Sequence, residues 1–170
     1  MNILFSFLVL LLTSCVGNMS NPQKALAIIY DLETAAKLGV AYFKDDNNGN
    51  VIVKLELKNI TPGEHGLHIH EYGDISANGA NLGGHFNPFK VSHGNPQNGL
   101  KVHVGDLGNI TANNNGSVNT EFTDYKLSLR GKNSILGRSI VIHAHKDNFT
   151  TQPSGHSGKK IAAGVIAIAK

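Results

Sequence analysis

Between residues 51 and 58 the chain alternates strictly, Val-Ile-Val-Lys-Leu-Glu-Leu-Lys, so an extended backbone puts Val51, Val53, Leu55 and Leu57 on one face. Segments 25–32 and 38–44 are further strand candidates, and the Asp/Asn/Gly cluster at 45–50 is a turn closing a hairpin. A second such cluster, 111–116, precedes a strand candidate at 117–123. Downstream, 139–143 and 161–169 are rich in β-branched residues, and Gly164 with its neighbouring isoleucines favours a strand over a helix in the second. Short strands separated by turns, with no internal repeat and no amphipathic helix, predict an all-β fold, an antiparallel sandwich or barrel. Against this background 72–107 stands out, a Gly/Asn/Pro/His-rich stretch without periodicity. A loop of that length in a compact domain has to be functional or held by something.

The N-terminus has a different character. Residues 3–12 form an apolar run too short for a mature membrane span, which needs about 20 residues, and they read as the core of an export signal. The run ends in Leu12-Thr13-Ser14-Cys15, which resembles the lipobox of bacterial lipoproteins. This divides the chain into a signal peptide (1–14), a lipid-anchored tether (15–24) and a folded domain (25–170), located in the cell envelope with the membrane reached through lipidated Cys15. No Lys or Arg precedes the apolar run, so an ordinary secretion signal is the alternative. Cys15 is the one cysteine, so the folded part forms no intramolecular disulfide, and bound metal becomes a candidate staple. A formal net charge of +3, with no basic segment interleaved with aromatics, argues against a nucleic-acid partner.

Histidines carry the candidate chemistry. His68 and His70 are two apart, so on a strand they project to one face while Leu67 and Ile69 enter the core. His85, His93 and His103 follow within the aperiodic loop, Asp106 lies three residues beyond His103, and His143 ends a strand candidate. Imidazoles suit zinc and copper, and a carboxylate joined to several imidazoles completes a tetrahedral zinc site.

The stretches Gly66-Leu67-His68-Ile69-His70-Glu71-Tyr72-Gly73-Asp74, Gly84-His85-Phe86-Asn87-Pro88 and His103-Val104-Gly105-Asp106-Leu107-Gly108-Asn109 together resemble copper/zinc superoxide dismutase. Gly137-Arg138-Ser139-Ile140-Val141-Ile142-His143 and Ala162-Ala163-Gly164-Val165-Ile166 extend the resemblance to the whole of 25–170. It implies a Greek-key β-sandwich or flattened β-barrel with long metal-binding loops, superoxide anion as substrate, and copper and zinc as cofactors. It also implies a copper set of His68, His70, His85 and His143 and a zinc set of His85, His93, His103 and Asp106. His85, shared as an imidazolate, would release copper on reduction and carry a proton to the developing peroxide. Asp147 would bridge the outer nitrogens of His68 and His93.

Two departures qualify the resemblance. The family's usual disulfide would join the positions of Gly79 and Ala163, so the loop should depend on metal and packing for its order. Lys160 stands where the family places an arginine that docks the anion, with Lys159 the less favoured substitute; charge is kept but the planar donor fork is not. Beyond Asp147 the loop 146–159 has no acidic residue, so a basic field would steer the anion. Three histidines fall outside the set: His65 as a backbone support near the copper loop, His145 as an alternative ligand, and His156 as a surface residue. A non-catalytic copper/zinc-binding envelope lipoprotein is the alternative reading, and the sequence leaves open whether two copies form a homodimer.

Overall fold

The structure, a computed structural model, describes residues 23–170. The expected signal peptide, Cys15 and the tether up to residue 22 lie outside the described residues.

Among the described residues nine strands follow one another: β1 (Lys24–Asp31), β2 (Lys37–Asp45), β3 (Val51–Leu57), β4 (Gly63–His70), β5 (Asp106–Ala112), β6 (Val118–Asp124), β7 (Ser139–His143), β8 (Lys160–Val165) and β9 (Ala167–Ile168). Eight of them form one antiparallel path in the order β5-β4-β7-β8-β1-β2-β3-β6, with the short β9 added to β1. β1, β2 and β3 are a meander, whereas β3 to β4 and β6 to β7 cross over as in a Greek key. The two end strands, β5 and β6, are joined by a tight turn in which Asn113 N donates to Ser117 O, so the sheet curls into a nearly closed barrel.

Alternation fixes which side faces inward. Val51, Val53, Leu55 and Leu57 of β3 are buried with Phe43 of β2, Ile29 of β1, Leu67 and Ile69 of β4, and Ile140 and Ile142 of β7. β4 departs from alternation because every residue from His65 to His70 is buried. Leu67 and Ile69 fill the barrel, while the opposite face lies beneath the loop between β4 and β5.

Three boundaries differ from the sequence expectation. β5 begins at Asp106, inside the expected loop, and runs through Thr111 and Ala112, which pair with Glu64 and Gly63 instead of joining the turn. His65 lies within β4, not before it. The final segment is two strands: Ile166 turns inward and exchanges backbone bonds with Gly137 and Arg138, and β9 then pairs with Ala25 and Leu26.

Where the family's disulfide would lie, apolar packing takes its place. Leu32, Leu82, Val141 and Ala163 form a small buried cluster apart from the main core. Gly79 lies against it, and a Cβ there would meet Leu32 Cδ1 at 2.8 Å.

Candidate metal centre

The ends of β4, β5 and β7 and the two loops that cover them bring seven of the chain's histidines and aspartates into one buried region: His68, His70, His85, His93, His103, His143 and Asp106. Its floor is set by backbone bonds. Phe86 N donates to Ile69 O at 2.8 Å, Gly105 N to Phe86 O at 2.9 Å and Ile69 N to Gly105 O at 2.9 Å, which ties two segments of the loop to each other and to β4 around the buried Phe86 and fixes His85. The guanidinium of Arg138 covers that ring at 3.5 Å and donates to Glu71 O and Ser134 O.

The ring nitrogens sort into two groups. Asp147 accepts from His68 Nε2 at 2.8 Å, Gly83 O from His70 Nδ1 at 3.0 Å, and Gly158 O from His143 Nδ1 at 3.1 Å. Because these partners only accept, each outer nitrogen carries the proton and each inner nitrogen presents a lone pair. His70 Nε2 and His143 Nε2 therefore face each other at 3.2 Å with no proton between them, and His68 Nδ1 and His85 Nε2 have no hydrogen-bond partner among the described residues. Donor atoms of these four residues lie within 4.8 Å of one another. Four buried lone pairs converging on one point are costly unless a cation sits among them.

The second group surrounds one oxygen. Asp106 Oδ1 is 2.9 Å from His85 Nδ1, 2.9 Å from His93 Nδ1 and 3.2 Å from His103 Nδ1, the last poorly aligned for a hydrogen bond. A tetrahedral zinc site with bonds of about 2.0–2.1 Å separates its ligand atoms by about 3.3 Å, close to this arrangement. The donor atoms that lie within 4.8 Å of one another here are those of His68, His85, His93 and Asp106. His103 joins the group only by its approach to Asp106 Oδ1, and His68, whose ring stacks on His85 at 3.8 Å, also comes within reach. Its Nε2 is committed to Asp147, which leaves it to the first group.

Asp147 joins the two halves, since its other oxygen accepts from His93 Nε2 at 2.9 Å. It is in turn gripped by Asn109, whose side chain bonds both the N–H and the carbonyl of Asp147. Gly155 is required here: at φ +67° it packs so closely that a Cβ would overlap Asp147 Oδ1 and crowd His93 Nε2.

Protonation follows from these surroundings. Burial lowers His68 to about 3, His70 to about 2 and His143 to about 4, and lowers His85 as well. His93 goes the other way: burial opposes its charge, but bonds to Asp106 and Asp147 outweigh that and raise it to about 9. Burial pushes both aspartates up, yet the histidine hydrogen bonds prevail and hold them well below the usual carboxylate range.

A cleft of about 1100 Å³ opens over the first group, lined by His70, His85, His143, Gly79, Lys159 and Lys160. Lys160 Nζ donates to Gly79 O at 3.1 Å, and partial burial lowers its pKa. The basic field expected of the loop is weaker than its sequence suggests. Lys146 pairs with Glu64 at 2.8 Å and Lys159 lies 3.7 Å from Glu33, whereas Lys160 makes no ion pair among the described residues. His65 bonds His143 O and Thr61 O, which supports the backbone behind the first group; His145 and His156 are exposed and belong to neither group.

Comparison with known proteins agrees with this geometry. A family model described as copper/zinc superoxide dismutase matches residues 37–166. The chain belongs to the copper/zinc superoxide dismutase family. Among the relatives, the extracellular superoxide dismutase [Cu-Zn] of Drosophila melanogaster is 36% identical over 95% of this chain and 95% of the fly protein. The superoxide dismutase [Cu-Zn] of Onchocerca volvulus is 40% identical over 76% of this chain and 88% of its own length. A crystal structure of the clock protein EA4 superposes with a TM-score of 0.80 at 34% identity, covering 88% of this chain and 97% of that one.

Lys126 and Asp124 were not visible as site residues in the sequence. Lys126 Nζ donates to the main-chain oxygen of Asp106 at 2.7 Å and to Asp124 Oδ2 at 3.0 Å, in a region where the lysine side chain is only 3% exposed. Nothing in the local pattern at 124–126 points to this, because the partner lies 20 residues away.

Proposed function

We propose that the chain is an exported superoxide dismutase in which His68, His70, His85 and His143 hold copper and His85, His93, His103 and Asp106 hold zinc. The convergence of His68 Nδ1, His70 Nε2, His85 Nε2 and His143 Nε2, with outer nitrogens tied to acceptors, is the observation that carries this reading. The net reaction takes two superoxide anions and two protons to dioxygen and hydrogen peroxide. Copper, when bound, supplies the one-electron exchange, and zinc supplies fixed charge without redox change. His85 offers one ring nitrogen to each group, so its Nε2 is the atom that can take up a proton and pass it towards the reduced substrate while Nδ1 keeps the ring in place. Asp147 and Asn109 hold the orientation of His68 and His93. Lys160, anchored on Gly79 O within the cleft, draws the anion to the open side of the copper ligands.

The finer reading adds location and assembly. Cys15 anchors the mature protein to a membrane of the cell envelope through lipid, where the enzyme protects envelope components from superoxide. The assembly proposed is a homodimer. Mass spectrometry of the exported protein tests the first, and sedimentation velocity the second.

The deciding experiment measures copper and zinc per chain together with the rate of superoxide disproportionation. One of each metal with rapid turnover supports the enzyme. Stoichiometric metal without turnover would instead favour the metal-buffering lipoprotein, and absence of stoichiometric metal would refute both.

A further inference from the structure

Resting on the assignment of zinc to His85, His93, His103 and Asp106, we propose that Lys126 is a positioning residue for that site. Its buried ammonium, held by Asp124, fixes the main chain of Asp106 and so aims the carboxylate at the three imidazoles.

Asp106 has three oxygens, and each has a separate task. Oδ1 faces the imidazoles, Oδ2 accepts from Gly94 N at 3.0 Å and His103 N at 3.2 Å, and the main-chain oxygen accepts from Lys126 Nζ. The position is one where the sheet itself gives little help. Asp106 opens β5 opposite His68, and the β4–β5 register shifts between Leu67 and His68. A cation reaching in from the far end of β6 supplies the restraint that a regular ladder would otherwise give.

The lysine is itself clamped. Asp124 Oδ1 accepts from the backbone N–H groups of Lys126 and Leu127, at 2.7 and 2.9 Å, while Asn133 Nδ2 donates to Lys126 O at 2.8 Å. Lysine is seldom so deeply buried unless paired, and an apolar side chain of similar volume would fill the space without desolvating a charge. The charge is used for its hydrogen bond to Asp106 O. Lys126 bonds no atom of His68, His70 or His143, so its effect falls on the zinc half.

The test compares the purified protein with Asp124→Asn, Lys126→Met and the double variant, which removes both charges and strands neither. Zinc affinity is measured by chelator competition, and the ligand field by the visible spectrum of cobalt(II) bound in place of zinc. Loss of the lysine should weaken zinc about 10-fold or more and alter the cobalt bands, with Asp124→Asn intermediate. A double variant that is less stable, yet binds zinc within twofold of the parent with an unchanged cobalt spectrum, makes Lys126 merely structural and overturns the proposal. Should the lysine variants fail to fold, Asp124→Asn decides alone: unchanged affinity and spectrum overturn it. An unsubstituted protein that shows no tetrahedral cobalt site overturns the zinc assignment itself, and this inference with it.

Discussion

Single side chains decide whether the site is held in working geometry. Gly155 shows this most sharply, since its left-handed backbone and close approach leave room for Asp147 to reach both His68 and His93. Alanine there would meet about 1–2 kcal/mol of backbone strain and displace the carboxylate. Gly155→Ala is expected to weaken zinc retention about 10-fold and lower the melting temperature; zinc retained against chelator as in the parent would show that the contact is not needed. Lys160 is a different case, because its partner is a backbone carbonyl and its charge is unpaired among the described residues. Lys160→Ala should keep both metals but lower kcat/KM about 10-fold and flatten its dependence on salt. Unchanged rate and salt slope at full metal content would remove Lys160 from anion docking.

At the scale of elements, the loop between β4 and β5 has two kinds of anchor. Leu82 is fully buried in the small apolar cluster, and Tyr72 N and Glu71 N donate to Leu82 O and Gly84 O, so this part is fastened by the protein alone. The part from Asn87 to His103 reaches Asp106 through His93 and His103, and with only the Gln152 side chain holding the main chain of His93 besides, among the described residues, its order leans on the proposed zinc ligands. Metal removal is therefore expected to raise hydrogen exchange across 87–103 while 79–86 stays protected. Equal protection with and without metal would mean that packing alone orders the whole loop. The sequence pattern made the loop and its ligands legible because chelation imposes short spacings, such as His68 with His70, and because alternation at 51–57 marks a half-buried strand directly. It did not reveal what replaces the disulfide. Leu32, Leu82, Val141 and Ala163 come from four separate segments, and each reads locally as ordinary apolar sequence. Lys126 is hidden for the same reason, and the break at Ile166 depends on backbone bonds to Gly137 and Arg138.

For the whole molecule, the buried histidines couple stability to pH in opposing directions. His68, His70 and His143 have folded pKa values of about 3, 2 and 4, below the ordinary value near 6.5. In the metal-free protein their neutral forms support folding fully above about pH 6.5, and that support is lost as pH falls towards the folded values. Each contributes a slope of about 1.4 kcal/mol per pH unit over that interval. His93, raised to about 9 by Asp106 and Asp147, contributes stability that is full below about 6.5 and is lost as pH rises through 9. Metal-free protein should therefore be most stable near pH 6.5, with a steep acid limb and a shallower alkaline one, as measured by denaturant unfolding across the range. Zinc bound by Asp106 and His93, as proposed, would take the place of the proton on His93 Nδ1, so the alkaline limb should vanish on loading. A flat alkaline limb in the metal-free protein would mean that His93 does not hold its proton between the two carboxylates, and the electrostatic link between the two halves of the site would have to run through His85 alone.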